Sequence, residues 1–134
     1  MKAIKSKMTK ALPMGAVLTI ADNSGAKTAK IITVRGYKTR TRMLQSAGIA
    51  DMVTATVITG KPDMKHKLVP CVVVRQKKEF ARPDGTKVTF EDNAAIVLKD
   101  IKLGLPKGSM IKGPIAKEVA IRWPAVAKIA SIIL

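Results

Sequence analysis

The chain has 134 residues and carries 25 lysines and arginines against 9 acidic residues, a formal net charge of +16, while 47% of its residues are hydrophobic. That apolar share is too high for a disordered basic tail, so the charge must lie on the surface of a folded protein. A folded surface with a pI near 10.4 favours a polyanionic partner, for which nucleic acid and an anionic membrane are the usual choices.

The sequence favours nucleic acid over a membrane. No apolar run approaches the roughly 20 residues that a spanning helix needs, and the first residues contain no continuous hydrophobic stretch before a small-residue cleavage site. The single cysteine, Cys71, cannot form an internal disulfide. We therefore expect a soluble, intracellular protein that folds as one domain over residues 1–134.

The first half of the chain predicts short strands separated by turns. Residues 17–21 are typical of a strand, and the turn-rich stretch 22–25 that follows contains Gly25, which accepts a positive φ. Residues 30–34 are predicted to form the strand that returns after this turn. In residues 52–59, MVTATVIT, the alternation places apolar side chains on one face and threonines on the other, with a period of two.

The next stretch predicts further strands and a hairpin. The apolar run CVVV at residues 71–74 suits a buried strand that continues outward to residue 78. The chain then turns at the Pro-Asp-Gly of residues 83–85, returns through residues 88–90, and forms another strand at 94–98. At least five short strands without intervening helices indicate a sandwich or a small closed barrel. We expect the barrel, because closing the sheet removes its edges.

The last third predicts helices. Gly113 followed by Pro114 suits a helix start with proline at the first helical position, and apolar residues then recur every four positions up to Trp123. Pro124 interrupts this pattern, and an apolar 3-4-3 spacing continues as far as Ile133. We expect two short helices whose apolar stripes pack against the barrel.

The sequence contains no recognisable catalytic constellation. The single histidine, His66, lies between lysines, and one histidine with one cysteine cannot form a zinc ligand set. Glu91 and Asp92 are adjacent at a strand end, so their carboxylates point to opposite faces. The glycines of residues 104–113 miss both the phosphate-loop and the dinucleotide fingerprints. We expect no enzyme activity, no metal and no cofactor; a nuclease, the remaining enzyme alternative, would depend on Glu91 or Asp92.

The aromatic content indicates how nucleic acid is bound. Proteins that grip single strands stack bases on aromatic rings, but Phe80, Phe90 and Trp123 suit the core, which leaves Tyr37. Phosphate and shape recognition by lysine and arginine remains, as expected for folded RNA or for nonspecific DNA contact. A DNA-binding module is the alternative, although the helices after Pro114 carry a poor set of side chains for reading base edges.

The predicted hairpin carries the most concentrated charge. Arg75 and Lys77 fall on one face of the outgoing strand, Lys78 and Arg82 on the other, and Lys87 on the return strand, so we expect a tip that is charged all round. The turn orders the hairpin before binding, which lowers the entropic cost of contacting phosphates. The alternative is an ordinary exposed hairpin whose lysines protect a sheet edge.

Three stretches resemble one known family. They are ADNSGAK at residues 21–27, VVVRQKKEFARPDGTKVTFEDNAAIVL at 72–98 and IKGPIAKEVAIRWPAVAKIASII at 111–133. The chain is similar, from about Leu12 onward, to the universal large-subunit ribosomal protein L-fourteen family in its archaeal and eukaryotic form. The resemblance implies a five-stranded barrel core at about residues 12–100 with a loop and helical segment at about 101–134.

The resemblance also implies a structural, non-catalytic role in the cytoplasmic large ribosomal subunit. It implies binding to large-subunit rRNA, neighbours that include ribosomal protein L-three and an archaeal L-twenty-four relative, a bridge to small-subunit rRNA, and docking of the anti-association factor called initiation factor six.

The candidates for RNA contact are the positions that match the family together with four cations at residues 35–42. The rRNA-binding candidates are Asn23, Ser24, Lys27, Arg35, Lys38, Arg40, Arg42, Arg75, Lys77, Lys78, Arg82 and Lys87. The candidates for the intersubunit bridge are Lys107, Lys112 and Lys117.

Overall fold

The computed structural model describes residues 3–4, 7–37, 41 and 44–134 of the chain. Short strands and two helices make up this part. The strands are β1 (Leu12–Pro13), β2 (Val17–Ile20), β3 (Ala26–Val34), β4 (Ser46–Ala47), β5 (Met52–Gly60), β6 (Leu68–Arg75), β7 (Phe80–Ala81), β8 (Lys87–Val88), β9 (Ala94–Asp100), β10 (Leu105–Pro106), β11 (Pro114–Ile115) and β12 (Ile132–Ile133). The helices are α1 (Lys117–Arg122) and α2 (Pro124–Ile129).

Five of the strands close into a barrel. Their order is β9-β2-β3-β5-β6, and β6 pairs again with β9, which completes the ring. Neighbouring strands run antiparallel except β2 and β9, which run parallel. Closure pairs every strand of this ring on both sides, so the ring itself has no open edge. The predicted five-stranded barrel with short carboxyl-terminal helices is confirmed.

Alternating side chains fill the barrel interior. In β5 the side chains of Val53, Ala55 and Val57 are fully buried, whereas the threonines between them are half-buried. β6 and β9 instead carry continuous buried runs. At β6 a further segment lies alongside, since the Ala116 N–H donates to the carbonyl oxygen of Val74 at 3.2 Å.

The predicted strands are present, with shifted ends. β2, β5 and β9 end within two residues of the predicted positions, and β3 begins at Ala26, four residues earlier than predicted. The prediction that β6 continues to residue 78 is wrong, because its pairing with β9 ends at Arg75. The buried Gln76 amide then donates to the carbonyl oxygens of Thr9 at 3.1 Å and Lys78 at 3.0 Å, which takes the chain out of the sheet.

The predicted turn at residues 83–85 is confirmed. β7 pairs antiparallel with β8, the Arg82 N–H donates to the carbonyl oxygen of Thr86 at 2.8 Å, and Gly85 takes a φ of +90°. The Asp84 carboxylate accepts a hydrogen bond from the Thr86 N–H at 2.9 Å, which holds the pKa of that carboxyl below its usual value. The turn is therefore closed by its own residues.

The predicted helix start at Pro114 is wrong. Pro114 and Ile115 form β11, which pairs in parallel with β12, and α1 begins at Lys117. The carbonyl oxygen of Ile115 accepts a hydrogen bond from the Leu134 N–H at 2.9 Å, and the Lys117 N–H donates back to the carbonyl oxygen of Leu134 at 3.1 Å. These long-range bonds hold the backbone extended where local sequence favours a helix.

The second helix is shorter than predicted. Pro124 stands at its first position, where the missing N–H costs nothing, and the helix ends at Ile129. Ile133 belongs to β12, so its predicted place on a helix is also wrong.

Both helices pack apolar side chains against the barrel, as predicted. Val119, Trp123 and Val126 are buried, and the indole Nε1–H of Trp123 donates to the carbonyl oxygen of Ala50 at 2.8 Å. This bond satisfies the one polar atom of a large buried ring. Each helix has six residues, and among the described residues no helix has the length and apolar character needed to span a membrane.

Gly104→Ala is expected to lower the free energy of unfolding by about 2–4 kcal/mol. Its φ is +68°, and an added Cβ would lie 2.7 Å from the ring of Trp123. The matched control is Gly85→Ala, where φ is +90° but no atom lies within 4 Å of the added Cβ; we expect a loss of about 1–2 kcal/mol there. Urea unfolding followed by circular dichroism measures both, and equal losses would contradict tight packing on the indole.

Candidate nucleic-acid interface

Most acidic side chains are engaged in ion pairs or hydrogen bonds within the molecule. Asp51 pairs with both Lys10 and Arg122, and in the described part of the chain three other acidic side chains also form ion pairs. Further carboxylates accept backbone N–H groups: Asp22 accepts from Val97, and Asp100 caps the turn that follows β9. Because the acids are held in this way, the outward-facing lysines dominate the surface field.

Arg75 does not lie where strand alternation predicts. It is buried at the end of β6, where both faces of the strand are covered, and the register against β9 shifts between Val73 and Arg75. Its Nε and Nη2 donate to the two carboxylate oxygens of Asp92 at 2.8 and 3.2 Å, and its Nη1 donates to the carbonyl oxygens of Lys112 at 2.8 Å and Pro114 at 3.0 Å. The expected exposure of Arg75 beside Lys77 is therefore wrong, and the guanidinium fastens residues 112–114 to the barrel.

Gly113 makes room for this contact. A Cβ at Gly113 would lie 2.6 Å from Nη1 of Arg75, and Gly113 has a φ of +81°. The glycine that the sequence suggested as a helix start instead lets the guanidinium approach the backbone.

Arg82 fastens the hairpin to the carboxyl-terminal segment. Its Nε donates to Oε1 of Glu118 at 2.8 Å, its Nη2 to Oε2 at 3.4 Å, and the same Nη2 also contacts the carbonyl oxygen of Leu134. The side chain of Glu118 is 9% exposed and that of Arg82 is 17% exposed. The hairpin is thus held against α1 and β12, and it is not the free finger with charge on every side that the sequence predicted.

The hairpin presents lysines to the exterior. Lys77, Lys78 and Lys87 are exposed, and we call these three the hairpin face. The backbone of Lys77 is fixed at both ends, because its N–H donates to Oδ1 of Asn93 at 2.8 Å and its carbonyl oxygen accepts from Oγ1 of Thr89 at 2.7 Å. The Lys87 ammonium lies 3.4 Å from the carboxylate of Glu79, but both groups are exposed, so the pair contributes little and leaves the lysine reachable.

A second cationic surface forms where the turn of residues 22–25 meets the loop after β10. We call this turn between β2 and β3 the first turn. Asn23 Nδ2 donates to Oγ of Ser109 and Asn23 Oδ1 accepts from the Ser109 N–H, both at 2.8 Å. The Lys112 N–H donates to the carbonyl oxygen of Ala21 at 2.6 Å. Ser24 turns inward, since its hydroxyl and its N–H both donate to the buried carboxylate of Asp22. Asn23 therefore fixes the two loops together, whereas Ser24 orders the turn to which it belongs.

Exposed lysines surround this junction. We call Lys27, Lys61, Lys107 and Lys112 the first-turn face. Lys61 packs over Gly25, where its Cδ lies 3.1 Å from the position of an added Cβ, and the Lys107 ammonium lies 3.0 Å from Sδ of Met64. The structure thus brings candidates for rRNA binding and for the bridge onto one surface.

The other candidates are distributed differently. Lys117 is exposed on α1, beside the residue that pairs with Arg82, so it lies nearer the hairpin than the first-turn face. Arg35 is exposed, and its N–H donates to the carbonyl oxygen of Met52 at 2.9 Å. Lys38, Arg40 and Arg42 lie outside the described residues.

Sequence reasoning missed Lys61. The signal was present in the run KPDMKHK at residues 61–67, but its lysines gain meaning only from the fold, which places Lys61 beside Gly25 of the first turn. His66 in this loop has a φ of +64°, and its N–H donates to the carbonyl oxygen of Val57 at 2.9 Å. Within the described ranges no group of three His, Cys, Asp or Glu side chains could hold a metal.

Comparison with known proteins identifies the family. Residues 11–134 match the family described as ribosomal protein L14p/L23e. The chain belongs to this family. The resemblance seen in the three sequence stretches is confirmed, and since members are structural ribosomal proteins, the protein is not an enzyme.

Named archaeal relatives align over the full chain. A protein of Nanoarchaeum equitans (strain Kin4-M), named large ribosomal subunit protein uL14, is 58% identical over 134 residues, which covers 100% of both chains. Proteins of the same name from Methanococcus vannielii and from Methanococcus maripaludis (strain C7 / ATCC BAA-1331) are each 47% identical over 133 residues, 99% of both chains. The family match therefore covers the chain from its first strand to its last.

Arg82→Ala is expected to lower the free energy of unfolding by about 3 kcal/mol, because it leaves the buried Glu118 carboxylate unpaired. The matched control, Lys87→Ala, removes the cation of an exposed pair and should cost less than about 1 kcal/mol. Adding Glu118→Ala to Arg82→Ala should recover part of the loss, with a coupling of about 1–3 kcal/mol. Urea unfolding measures the stability of each variant. Additive losses would show that Arg82 and Glu118 are not coupled and would contradict the ion pair.

Cys71 is expected to resist alkylation in the native protein. Burial raises the pKa of its thiol to about 12, and the Asp22 carboxylate adds to the shift. At pH 8 iodoacetamide should react about 1,000-fold faster with the protein in urea than with the native protein, because only the thiolate attacks. The unfolded thiol also ionises first as the pH rises above about 9, so its contribution to stability falls there. Equal alkylation rates would contradict this burial.

Proposed function

We propose that the protein is a structural component of the large ribosomal subunit in the cytoplasm and that it binds large-subunit rRNA through exposed lysines. Membership of the ribosomal protein L14p/L23e family supports the assignment. The observation that carries the RNA contact is the division of charge: carboxylates pair with Arg75, Arg82 and Arg122, whereas among the exposed lysines that the structure describes only Lys10 and Lys87 have a carboxylate partner.

The hairpin face and the first-turn face are suited to phosphates. Both are mounted on backbone that side-chain hydrogen bonds already hold, through Asn93 and Thr89 in one case and Asn23 in the other. Such prior ordering lowers the entropy lost on binding, and lysine clusters at fixed spacing match the phosphate lattice of folded RNA. Lys38, Arg40 and Arg42 stay in the proposal on sequence grounds alone.

Arg75 and Arg82 contribute to RNA binding indirectly in this account. Their donors are occupied by Asp92, Glu118 and backbone carbonyl oxygens, so they position the hairpin lysines instead of contacting phosphate themselves.

For the intersubunit bridge we propose the loop of residues 107–112. Lys107 and Lys112 are exposed on it, and the hydrogen bonds between Asn23 and Ser109 fix its position. A fixed loop of this kind can bring two cations to phosphates of small-subunit rRNA. Lys117 on α1 is a further candidate for the same contact.

Protein neighbours would use the carboxyl-terminal segment. Ile121, Ile132 and Ile133 are exposed there despite their apolar character. We propose this segment for ribosomal protein L-three, an L-twenty-four relative or initiation factor six, the partners implied by family resemblance. We also propose that residues 1–134 form one domain, since α1 and α2 complete the barrel core through Trp123 and Val126.

A DNA-binding module is less well supported. A helix that reads the major groove presents several side chains to base edges, but α1 and α2 have six residues each and expose mainly Lys117, Ile121 and Lys128. A DNA preference under competition with rRNA would nevertheless overturn the ribosomal proposal.

Replacing Lys77, Lys78 and Lys87 together with glutamine should weaken binding to large-subunit rRNA and reduce the slope of log affinity against log salt by about 2–3. The stability should change little, because all three side chains are exposed.

A charge-matched triple variant separates position from total charge. Lys30, Lys99 and Lys128 are also exposed, and they lie on β3, β9 and α2, none of which belongs to the hairpin of β7 and β8. Their replacement by glutamine should change affinity and slope less. Filter binding across a salt series measures both proteins, and equal effects would remove the hairpin face from the proposal.

A further inference from the structure

A groove of about 570 Å³ lies apart from both lysine faces. It is formed by the end of β3 with the residues after it, the start of β5, the turn after β9 and the end of α1. Its volume falls within the roughly 300–1,000 Å³ typical of small-molecule sites. We call it the Tyr37 groove.

The groove combines an apolar lining with cations. Val34, Met52 and Trp123 line it and are buried. The described lining also contains four cations and a single carboxylate, that of Asp51. The cations are Lys10, Arg35, Lys102 and Arg122. An apolar surface beside an excess of positive charge suits a ligand that has a flat apolar part and an anionic part.

Tyr37 supplies a ring for the flat part. It is half-buried against the core, and the ammonium of Lys10 lies 5.6 Å from its ring centroid. Lys10 and Tyr37 both line the groove, and the ammonium covers one face of the ring. The Lys10 side chain is 46% exposed, so it can rotate toward an anion while a planar group takes its position on the ring.

Hydrogen bonds fix the backbone of two of the cationic residues, Arg35 and Lys102. The Arg35 N–H donates to the carbonyl oxygen of Met52 at 2.9 Å. The Asp100 carboxylate accepts from the Lys102 N–H at 2.8 Å, which sets the turn that carries this lysine. Both side chains are exposed, so their charged ends are available to an anion at the mouth of the groove.

Arg122 adds an unsatisfied donor. Its Nη1 lies 3.2 Å from Oδ1 of Asp51, but its buried Nε has no hydrogen-bond acceptor among the residues that the structure describes. Buried guanidinium donors are normally paired, so this unpaired Nε is an exception beside the groove.

We propose that the Tyr37 groove binds one nucleoside monophosphate unit, with its base stacked on Tyr37 and its phosphate held by Arg35 and Lys102. The unit is either a nucleotide extruded from RNA or a free nucleotide, since both present the same base and phosphate. In the first case the inference extends the proposed RNA binding from phosphate contact to base stacking. It does not depend on the lysines of the hairpin face.

A titration with AMP tests the groove itself. Trp123, the single tryptophan of the chain, lines the groove, so its fluorescence reports occupancy. AMP should cause a saturable change at a concentration at least about tenfold lower than adenosine or inorganic phosphate does, because only AMP uses both halves of the site. AMP affinity no greater than that of inorganic phosphate would overturn the proposal, since it would reduce the groove to a cationic patch.

Substitutions test the base-stacking part and the phosphate-binding part of the groove separately. Tyr37→Leu keeps apolar bulk but removes the ring, and it should weaken AMP binding about tenfold, whereas Tyr37→Phe should retain binding. Arg35→Gln should weaken AMP binding by a similar factor and leave adenosine binding unchanged. The control Lys128→Gln removes an exposed cation that does not line the groove and should leave AMP binding unchanged. Unaltered affinity in a folded Tyr37→Leu protein would exclude stacking.

An RNA pair distinguishes the two sources of the nucleotide. A short RNA hairpin with one bulged adenosine should bind at least about tenfold more tightly than the same hairpin fully paired, and Tyr37→Leu should abolish that preference. AMP binding without a bulge preference would assign the groove to free nucleotide and reject the RNA source. Glutamine at Lys77, Lys78 and Lys87 should leave AMP binding intact, so failure of the groove and failure of the hairpin face give different results.

Discussion

Two arginine–carboxylate pairs hold the parts of this protein together. Arg75 with Asp92 and Arg82 with Glu118 connect the barrel, the hairpin and the carboxyl-terminal segment, and Arg75 also binds the carbonyl oxygens of residues 112–114. Burying a guanidinium is costly unless its donors are satisfied, and here bidentate geometry and backbone acceptors satisfy them. The arrangement of the exposed lysines follows from these contacts, because they fix both the hairpin and the 107–112 loop.

This use of charge explains how a strongly basic protein stays folded. The rigid forks of Arg75, Arg82 and Arg122 reach carboxylates, and the first two also reach backbone carbonyl oxygens, while the flexible, strongly hydrated lysines face outward. Arg82 holds the Glu118 carboxylate in the interior, and Arg75 neutralises the partly exposed carboxylate of Asp92. A surface of this kind attracts phosphate with little opposing negative charge, and its rigidity lets shape decide where it binds.

Much of the barrel could be predicted from sequence because its signals are local. The alternation in β5 and the Pro-Asp-Gly turn of the hairpin depend on neighbouring residues alone, and both are present in the structure. Pro114 was misread because the parallel pairing of β11 with β12 joins residues far apart in sequence and overrides a good local helix signal. Arg75 was misplaced because both faces of β6 are covered at this end, so alternation along the strand does not decide which side chains reach the surface.

The candidate site also has features that local sequence predicts and features that depend on long-range contacts. Exposed lysines such as Lys77 and Lys78 could be predicted from composition and the hairpin pattern, whereas the junction of Asn23 with Ser109 required the fold. The Tyr37 groove also depends on long-range placement, since Tyr37 and Trp123 belong to segments that only the folded barrel brings together. Sequence left Tyr37 as the one aromatic residue without a place in the core, and the structure shows its cationic surroundings.

Quantitative lysine labelling of the free protein and of purified large ribosomal subunits tests the central claim most directly. If exposed lysines bind rRNA phosphates, mass spectrometry will show that Lys77, Lys78 and Lys87 react readily with an acetylating reagent in the free protein and are protected in the particle. Equal reactivity of these lysines in both samples, or absence of the protein from the particle, would contradict the account.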